Sequence, residues 1–336
     1  MLTADQKVVA RAPANWDAVC EPVRPFLAQV SEQLRDEMAA FDPRISAFVQ
    51  YALASQGKQL RPLLVALGGR VAGRLNSDHV MAAVIIELVH LATLVHDDVI
   101  DAADQRRNRP TLAASWGNEI SVLAGDCLFA QALKRAAEFP TPEVCRMVAE
   151  ATKTVCTGEI LQTLRRGDFQ VAREEYLREL RMKTAELFAL ACRLGLRLGG
   201  GEGDLCEYGL NLGTAYQLYD DCLDVFGSEP SAGKSLGTDL ATGKATLPLM
   251  LALEQATAGR RDELRGLLAD WRPERGEELR AMLATEDCRT ACRTEVDGFL
   301  EGARGALVAL PANEGRAGLA ALVDCLEEQM DGLGAG

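Results

Sequence analysis

The sequence predicts an all-α fold built as a single domain of about ten or more helices. Apolar residues recur at spacings of three and four positions through long segments, and residues that favour helices fill the positions between them. Clear examples are EPVRPFLAQVSEQLRDEMAAF, EYLRELRMKTAELFALACRLG and GRAGLAALVDCLEEQMDGL. Runs with the strict alternation of a half-buried strand are scarce.

Short turns separate the predicted helices. The turns FDPR, FPTPEV, GGGEGD, GSEPSAG and LPANEG are rich in glycine, proline, asparagine or aspartate, and none is long enough to be a flexible linker between domains. We therefore expect one domain over residues 19–333, preceded by an N-terminal extension over residues 1–18 whose structure the sequence does not determine.

Composition limits the classes of function. The chain has 336 residues, of which 48% are apolar but only 5% aromatic, so alanine, leucine and valine make up the core. The formal net charge is −13, from 36 basic and 49 acidic residues. This balance argues against a nucleic-acid partner, because a nucleic-acid-binding surface is basic. It does not exclude an anionic substrate, since local lysines and arginines can outweigh distant acidic residues.

Cysteine usage and hydropathy indicate the compartment. The ten cysteines form no C-x-x-C pair and the chain has only three histidines, so we expect buried reduced thiols rather than a zinc site. The first residues, MLTADQKVVARAPANW, lack the apolar core of a signal peptide. The longest apolar run, Met81–Val95, carries Glu87 and His90 and is shorter than the roughly 20 residues of a membrane helix. We expect a cytoplasmic protein with at most peripheral membrane contact.

The motif HDDVID ends this apolar run. Residues four apart share a face of a helix, so Asp97 and Asp101 point the same way, with Asp98 beside Asp97. A second motif, DDCLD, repeats the spacing with three further aspartates: Asp220, Asp221 and Asp224. One such motif is commonly a solvated helix end, whereas two at identical spacing are hard to attribute to chance. Mg²⁺ prefers oxygen ligands and retains several waters, so two facing clusters would hold several ions and leave positions for phosphate oxygens.

Lysines and arginines cluster around these motifs and favour an anionic ligand. Arginine can bind phosphate through a bidentate fork, and lysine acts as a point charge. For any single residue an ordinary solvated surface is the simpler interpretation, but the clustering weakens it. The candidates are Lys58, Arg61, Arg106, Arg107, Arg109, Lys183, Lys234 and Lys244.

Six segments in a fixed order carry a resemblance to a known family. They are QGKQLRP, ELVHLATLVHDDVIDAADQRRNRPT, GEILQ, KTAELF, GTAYQLYDDCLDVFG and GKSLGTDLATGKATLPL. Together they resemble the trans-isoprenyl diphosphate synthases, and among these the long-chain polyprenyl synthases similar to octaprenyl diphosphate synthase. The resemblance extends from about Ser31 to Leu249, with a weaker tail. The first segment departs from the family's G-G-K-R-x-R-P, because Gln56 replaces a glycine and Gln59 replaces an arginine.

The resemblance implies the isoprenoid synthase fold, an all-α bundle around a central cavity, and a role for each candidate residue. The metal site for about three Mg²⁺ ions would comprise Asp97, Asp98, Asp101, Asp220 and Asp224, with Asp221 in a supporting position. The allylic diphosphate would be bound by Arg106, Lys183, Lys234 and Lys244. Isopentenyl diphosphate would be bound by Lys58, Arg61, His90 and Arg107. The residues beside the developing allylic cation would be Thr184 and Gln217, with Lys183 next to them.

The implied reaction explains these residue types. Breaking an allylic C–O bond produces a carbocation and a diphosphate anion, and metal ions and basic side chains stabilise the departing charge. The double bond of isopentenyl diphosphate then attacks the cation and a proton is lost, so no protein nucleophile is needed. A dry cavity protects the cation from water. The hydrophobic helix before HDDVID would line a hydrocarbon tunnel whose mouth is the acidic helix end.

Small side chains before the first cluster predict a long product. In the family the growing chain runs down from this cluster, and residues one turn earlier form the floor of the tunnel. Here these residues are Ala92 and Thr93, and neither blocks a tail. Extension of farnesyl or geranylgeranyl diphosphate would give at least geranylgeranyl diphosphate and rather hexaprenyl to octaprenyl diphosphate. Ala92 and Thr93 can also be helix-packing positions, with a residue of another helix closing the tunnel.

Three other functions remain compatible with the motifs. A short-chain farnesyl or geranylgeranyl diphosphate synthase would use the same residues. A class I terpene cyclase shares the fold and an aspartate-rich metal site, but it would not need Lys58, Arg61 and His90. A non-catalytic subunit of a heteromeric synthase commonly loses metal ligands, which this chain retains.

The resemblance implies a homodimer, and the sequence does not identify its interface. His96, next to the first cluster, is assigned no catalytic role.

Overall fold

The structure is a computed structural model that describes residues 16–54, 57–227 and 236–333. These residues form an all-α bundle of more than ten helices, which confirms the predicted fold class. The helices are α1 (Trp16–Cys20), α2 (Arg24–Ala39), α3 (Pro43–Leu53), α4 (Leu60–Val71), α5 (Ser77–Ile100), α6 (Leu112–Trp116), α7 (Asn118–Ala137), α8 (Glu143–Leu164), α9 (Arg173–Leu180), α10 (Glu186–Leu198), α11 (Cys206–Phe226), α12 (Thr238–Ala241), α13 (Leu247–Gln255), α14 (Ala258–Ala269), α15 (Gly276–Leu283), α16 (Glu286–Ala306) and α17 (Glu314–Asp331). A π-helical turn, Arg181–Ala185, joins α9 to α10, and short 3₁₀ turns cover Glu21–Val23 and Pro273–Arg275.

Local sequence signals set the starts of helices near the site. α3 begins after Asp42, whose carboxylate accepts a hydrogen bond from the Arg44 amide at 2.9 Å. α5 begins after Asn76, whose side chain accepts hydrogen bonds from the amides of Asp78 and His79. Because each cap satisfies amides that have no partner within the helix, these helices start at the residues where the sequence supplies a capping side chain.

α4 and α10 run parallel and pack closely. Near the start of both helices the Arg61 guanidinium lies 5.1 Å from the centroid of the Phe188 ring. Further along both helices, a Cβ added to Gly195 would lie 2.4 Å from the Val65 carbonyl oxygen, so only glycine permits this approach of the two backbones. The amino-terminal ends of α4 and α10 therefore lie at the same end of the bundle.

α5 and α11 run in the opposite direction to α10. The His79 ring, near the start of α5, hydrogen-bonds the Gly195 carbonyl near the end of α10 at 3.0 Å. A Cβ added to Gly209, near the start of α11, would lie 2.4 Å from Cα of Ala189 on α10. One added to Gly213, a turn later in α11, would lie 2.6 Å from Cα of Ala185, just before α10 begins. The carboxyl-terminal ends of α5 and α11, which carry the two aspartate motifs, therefore meet the amino-terminal ends of α4 and α10.

α5 is the central helix of the main hydrophobic core. The residues from Ala82 to Val89 are at most 5% exposed, and all of them except Glu87 belong to the largest buried apolar cluster of the described residues. Among those residues, α5 is the one helix whose length and composition would allow it to cross a membrane. However, 67% of its most apolar stretch is buried inside the bundle, so its hydrophobicity is that of a core helix.

A two-residue hairpin follows α5. The strand β1 (Gln105–Arg106) pairs antiparallel with β2 (Arg109–Pro110), and the residues between them, Arg107 and Asn108, have φ of 52° and 59°. Positive φ at both central positions matches the type I′ turn that closes tight hairpins. This short pair was not expected from the sequence. It holds Arg106 beside the acidic end of α5, where Nε donates a hydrogen bond to Asp98.

All ten cysteines are free thiols, and six of them are buried. The cysteines therefore contribute to packing as small apolar side chains rather than as cross-links.

Candidate active site

The first aspartate cluster ends α5 and meets basic side chains from three other segments. Asp98 accepts a hydrogen bond from Arg106 Nε at 2.8 Å, which joins the helix to the hairpin. Oδ2 of Asp101 accepts a hydrogen bond from Lys244 Nζ at 3.1 Å, and its Oδ1 accepts one from Arg166. The structure thus brings together two of the residues that were predicted to bind the allylic diphosphate, and it adds Arg166.

Lys183 lies on the π-helical turn, surrounded by acidic and polar side chains. Its ammonium group lies 3.6 Å from Asp97 Oδ2, forms an ion pair with Glu159 and donates a hydrogen bond to Gln162 at 2.9 Å. Burial raises the pKa of Asp97 to about 6; the Lys183 charge opposes this increase and the Glu159 carboxylate adds to it. Burial lowers the pKa of Lys183, but Asp97 and Glu159 outweigh burial, so the net change is an increase. This environment favours a further positive charge beside Asp97.

The second aspartate cluster, on α11, is tied to the same π turn. Asp221 is buried, and its two oxygens accept hydrogen bonds from the Tyr176 hydroxyl and from Gln217 Nε2, the latter at 3.0 Å. The Gln217 amide oxygen in turn accepts a hydrogen bond from the Thr184 hydroxyl at 3.0 Å. Burial raises the pKa of Asp221 well above its ordinary value, and the nearby Asp239 raises it further. Asp221 therefore anchors Gln217 and Thr184.

The other aspartates of the second cluster lie on the same part of α11. Asp224 is 1% exposed, and its Oδ2 accepts a hydrogen bond from the Asp239 amide at 3.2 Å. The Asp224 carbonyl accepts one from the Gly237 amide, also at 3.2 Å. Asp220, one position before Asp221, is half-buried. The segment GTDL thus folds back over the end of α11 and brings Asp239 to the cluster as a fourth carboxylate.

The π turn is where the two aspartate clusters meet. Lys183 contacts Asp97 of the first cluster, and the adjacent residue, Thr184, reaches Asp221 of the second cluster through Gln217. π-helical turns are rare and frequently occur at functional sites. A single anionic group bound at this turn would lie between the two clusters.

A second basic group surrounds His90 on α5. Burial lowers the pKa of His90 well below its ordinary value, and the charges of Arg61, Arg106 and Arg107 lower it further. His90 is therefore neutral at physiological pH. The Arg107 guanidinium lies directly against Gly57, since a Cβ there would be 2.4 Å from Nη2. Arg61, His90 and Arg107, all predicted to bind isopentenyl diphosphate, are thus neighbours.

Lys58 and Glu87 complete this basic group. Lys58 follows Gly57, is exposed, and its ammonium lies 5.8 Å from the centroid of the Trp16 ring. Glu87 is 5% exposed, and burial raises its pKa to about 6, although Arg61 and Arg107 oppose the increase. Glu87 is therefore a buried counter-charge close to the two arginines.

Three further predicted positions are Lys234, Ala92 and Thr93. Lys234 lies outside the described residues. Ala92, predicted to form the tunnel floor with Thr93, is fully buried in the apolar core. Thr93 is half-buried, and its hydroxyl donates a hydrogen bond to the His90 carbonyl at 2.8 Å. Thr93 also lies four residues before Asp97, on the same face of α5.

His96 packs between helices. Its Nε2 lies 3.0 Å from the Val122 carbonyl oxygen, and its ring lies 5.6 Å from the Phe129 ring on α7. A Cβ added to Gly125 would lie 2.2 Å from Nε2, so α7 approaches the ring closely. These contacts explain His96 as a residue of the α5–α7 interface.

Several residues of the site were not assigned a role from the sequence. Glu159 and Asp239 lie inside segments that carry the resemblance, GEILQ and GTDL, so those motifs contained a signal for them. Tyr176 and Arg166 lie in the segments REEYL and LRRGD, which look like an ordinary helix and an ordinary turn. Nothing in their local pattern points to the aspartates that they contact.

The donor set fits a hard divalent cation. No three histidine, cysteine, aspartate or glutamate side chains in the described part of the chain are already close enough to hold a metal ion by themselves. Mg²⁺ is usually bound through one or two carboxylates together with waters and substrate phosphates, so a preformed cage is not required. The aspartates also lie at the carboxyl-terminal ends of α5 and α11, where the helix dipole favours positive charge. Both observations suit metal ions whose coordination is completed by a bound diphosphate.

An all-α bundle that gathers two aspartate clusters and basic side chains at one end defines an enzyme that binds diphosphates with the help of divalent cations. The sequence profile of the family described as polyprenyl synthetase matches residues 42–285. The chain belongs to this family, as the six motifs predict.

Named relatives agree with this assignment. The chain is 35% identical to the octaprenyl diphosphate synthase of Haemophilus influenzae over 246 residues, which cover 72% of this chain and 75% of that protein. It is 35% identical to component 2 of the heptaprenyl diphosphate synthase of Geobacillus stearothermophilus over 303 residues, or 84% and 92% of the two chains. Among solved structures, the polyprenyl synthase of Caulobacter crescentus, complexed with calcium and isoprenyl diphosphate, superposes with a TM-score of 0.87 at 32% identity, covering 94% of this chain and 98% of that one.

Proposed function

We propose that this protein is a trans-prenyltransferase, which condenses isopentenyl diphosphate with farnesyl or geranylgeranyl diphosphate to give a longer all-trans polyprenyl diphosphate. The observation that carries the proposal is the π turn, where Lys183 meets the first aspartate cluster and Thr184 reaches the second. A diphosphate bound at this turn would contact both clusters. The names of the relatives, octaprenyl and heptaprenyl diphosphate synthases, support the same substrates.

The allylic diphosphate binds beside the first aspartate cluster. The basic residues that hold it are Arg106, Lys183 and Lys244, together with Lys234. The aspartates that hold about three Mg²⁺ ions are Asp97, Asp98, Asp101, Asp220 and Asp224, while Asp221 supports them. When bound, the ions stabilise the negative charge of the leaving diphosphate as Lewis acids. The Caulobacter crescentus polyprenyl synthase is complexed with calcium, which supports binding of a divalent metal by this protein as well.

Cleavage of the allylic C–O bond leaves its electron pair on the diphosphate and a positive charge on carbon. The Thr184 hydroxyl oxygen, held by Gln217, provides a fixed dipole beside this carbon. Asp221 and Tyr176 keep Gln217 in place from the far side. These hydrogen bonds thus orient the Thr184 hydroxyl before positive charge develops on the allylic carbon.

Isopentenyl diphosphate binds next to the allylic diphosphate, through the basic side chains around His90. The residues that hold it are Lys58, Arg61, His90 and Arg107. Because burial and the arginines keep His90 neutral, its ring takes part as a hydrogen-bonding group rather than as a cation. The double bond of isopentenyl diphosphate attacks the allylic carbon, a C–C bond forms, and the proton lost from the adduct goes to the released diphosphate.

The product is an elongated chain of hexaprenyl to octaprenyl length. Ala92 and Thr93, below the first cluster on α5, have small side chains that would not block a growing tail. The octaprenyl and heptaprenyl names of the two relatives support a product in this range.

Product analysis tests the reaction directly. The purified full chain is incubated with Mg²⁺, labelled isopentenyl diphosphate and several allylic starters, and the dephosphorylated products are separated by chromatography. Polyprenyl products support the proposal, whereas products that stop at farnesyl or geranylgeranyl indicate a short-chain synthase. Cyclic hydrocarbons would indicate a cyclase, and absence of turnover would indicate a partner subunit.

Matched variants test the metal site in the same assay. Asp97→Asn and Asp220→Asn should each reduce turnover at least about a hundredfold, because each removes a carboxylate from the site where preorganised charge stabilises the leaving group. Asp126→Asn, an exposed carboxylate on α7, is the control and should leave turnover unchanged. Chelation of the metal should abolish turnover of the wild-type chain and Mg²⁺ should restore it.

We also propose that the chain forms a homodimer through α6 and α7. Trp116, Val122, Leu123 and Leu133 are exposed large apolar side chains on these two helices. Such a concentration is typical of a protein–protein interface. Leu123→Glu should convert the dimer to a monomer in sedimentation experiments. Val308→Glu, which changes an exposed apolar residue outside α6 and α7, should leave the dimer intact. A monomeric wild-type chain would instead favour a heteromeric assembly, such as the one that the name of the Geobacillus stearothermophilus relative implies.

Three further proposals concern the domain bounds, the compartment and contact with a membrane. The synthase domain spans residues 19–333 and follows an extension over residues 1–18. The free thiols support a reducing compartment, the cytoplasm, because disulfides persist in oxidising ones. Contact with a membrane, where a long product would be released, is at most peripheral.

A further inference from the structure

Asp101 differs from the other aspartates of the first cluster because both of its carboxylate oxygens are bound by basic side chains. Oδ2 accepts a hydrogen bond from Lys244 Nζ at 3.1 Å, and Oδ1 accepts one from Arg166 Nη2. Arg166 is further fixed by a hydrogen bond from Nη1 to the Ile100 carbonyl at 3.0 Å. The Arg166 guanidinium therefore bridges the last carbonyl of α5 and the aspartate that follows it.

The two loops that supply these basic side chains are joined to each other. The Gly167 amide, next to Arg166, donates a hydrogen bond to the Gly243 carbonyl at 3.1 Å, and Gly243 precedes Lys244. Arg166 comes from the turn after α8, and Lys244 comes from the turn before α13. Two segments distant in the sequence thus form one unit that neutralises Asp101 from both sides.

This arrangement competes with a divalent cation. A metal ion at Asp101 would need the same carboxylate oxygens that Arg166 and Lys244 now occupy, so at least one of these hydrogen bonds would have to break. A diphosphate offers both basic side chains another anionic partner, and arginine binds phosphate well through its planar fork. Metal binding is therefore opposed before the diphosphate arrives and is favoured after it.

We propose that Arg166 is a positioning residue that lowers the metal affinity of the first aspartate cluster until a diphosphate is bound. It thereby couples the binding of the two ligands, and by linkage each ligand raises the affinity for the other by the same factor. This inference rests on the proposed function for the identity of the ligands. It concerns the metal-free protein and can be measured without turnover.

The test is a calorimetric titration of Mg²⁺ into the full chain without substrate. Arg166→Gln should bind Mg²⁺ about five- to tenfold more tightly than the wild type, the size of a typical coupling between two ligands. Arg165→Gln is the matched control, since it removes one positive charge at the adjacent position, where the side chain pairs with Glu175 and Glu179. Arg178→Gln, exposed on α9, is a second control in case the Arg165 variant loses stability in a thermal melt.

A double-mutant cycle separates the direct contact from a general effect of charge. In an Asp101→Asn background, Arg166→Gln should leave the Mg²⁺ affinity unchanged, because the competing carboxylate has been removed. Inorganic pyrophosphate should also raise the Mg²⁺ affinity of Arg166→Gln by a smaller factor than it raises that of the wild type.

Several results would overturn the inference. These are an unchanged or weaker Mg²⁺ affinity in Arg166→Gln, an equal change in the two arginine controls, an effect that persists with Asp101→Asn, or no binding by either chain at millimolar Mg²⁺. The proposed function fails by a different observation, namely that the wild-type chain does not extend farnesyl diphosphate. The two failures are therefore distinguishable.

Discussion

The Tyr176 hydroxyl donates a hydrogen bond to Oδ2 of Asp221, and both side chains are only 4% exposed. Tyr176 belongs to α9 and Asp221 to α11, so this contact fixes the second aspartate cluster against the helix that leads into the π turn. Gln217 Nε2 donates a hydrogen bond to the other oxygen of Asp221, and the Gln217 amide oxygen accepts one from the Thr184 hydroxyl. The chain Tyr176–Asp221–Gln217–Thr184 thus orients the one hydroxyl that we place beside the allylic cation.

Tyr176→Phe should therefore lower kcat about tenfold with little change in KM for either substrate. Loss of the hydroxyl leaves a buried carboxyl oxygen without a donor, which costs about 1–3 kcal/mol. Because Asp221 is then held less firmly, Gln217 is also less well oriented. A tenfold change in rate corresponds to about 1.4 kcal/mol. Steady-state kinetics with farnesyl diphosphate and isopentenyl diphosphate measure the effect.

Tyr208→Phe is the matched control for this prediction. The Tyr208 hydroxyl is also buried and donates a hydrogen bond to the Leu319 carbonyl at 2.8 Å, away from the aspartates. Both variants should lose stability by a similar amount, but only Tyr176→Phe should lose kcat. Equal losses of kcat in the two variants would show that general destabilisation, and not the orientation of Gln217, is responsible.

Gly57→Ala should raise KM for isopentenyl diphosphate about tenfold and leave KM for the allylic substrate nearly unchanged. The added Cβ would lie 2.4 Å from Nη2 and 2.8 Å from Nη1 of Arg107, so the guanidinium must move away from the place where we expect the diphosphate to bind. A lost charge-assisted contact of this kind is worth roughly 1.5–3 kcal/mol. Initial rates with each substrate varied in turn measure the two constants.

Gly298→Ala provides the control for this glycine substitution. A Cβ at Gly298, within α16, would meet nothing within 4 Å. Replacing a glycine inside a helix by alanine should stabilise the protein by roughly 0.5–1 kcal/mol and change neither KM. An increase of both KM values in Gly57→Ala would contradict the assignment of Arg107 to isopentenyl diphosphate alone.

The aspartate clusters and their helices could be predicted from the sequence because the signal is local. The side chains of Asp97 and Asp101 share a helix face through their spacing alone, and the apolar run before them defines the buried helix. The residues that carry the resemblance lie in short segments for the same reason. This explains why the sequence alone predicts the fold class and makes the two clusters and most of the basic residues candidates for the site.

The contacts that complete the site depend on which distant segments the fold brings together. Tyr176 is 45 residues from Asp221, and Arg166 is 65 residues from Asp101, so no local spacing reveals either contact. The hairpin was missed because its central residues, Arg107 and Asn108, are not the asparagine–glycine or aspartate–glycine pair that signals a type I′ turn. The π turn was missed because a single extra residue leaves the apolar spacing of α9 and α10 nearly unchanged.

Replacement of Glu87 should make the stability of the protein depend differently on pH. Burial raises the pKa of Glu87 to about 6 in the folded chain, from an ordinary value of 4.5. The folded state therefore binds this proton more tightly than the unfolded state, and the contribution of Glu87 to wild-type stability falls as the pH rises from 4.5 to about 6. Glu87→Gln removes this decrease, so its free energy of unfolding relative to the wild type should rise by about 2 kcal/mol between about pH 4 and about pH 7.5.

Urea denaturation of both proteins across this pH range measures the difference. The change should occur between about pH 4.5 and about pH 6 and level off above that range. Parallel stability profiles for the wild type and Glu87→Gln would contradict the prediction, as would a relative loss of stability on raising the pH.

Bulky substitutions at the proposed tunnel floor should shorten the product. Thr93 is half-buried on the same face of α5 as Asp97, so Thr93→Phe should place an aromatic ring directly under the first cluster. Ala92 is fully buried beside it, and Ala92→Phe should shorten the product as well, at a cost of about 1–3 kcal/mol in stability from overpacking. We expect both variants to stop at farnesyl or geranylgeranyl diphosphate, as read from chromatography of the dephosphorylated products. Ala303→Phe, which overpacks the core on α16, should lose stability but keep the wild-type product length. Unchanged products in both α5 variants would show that the tail does not follow this face of α5.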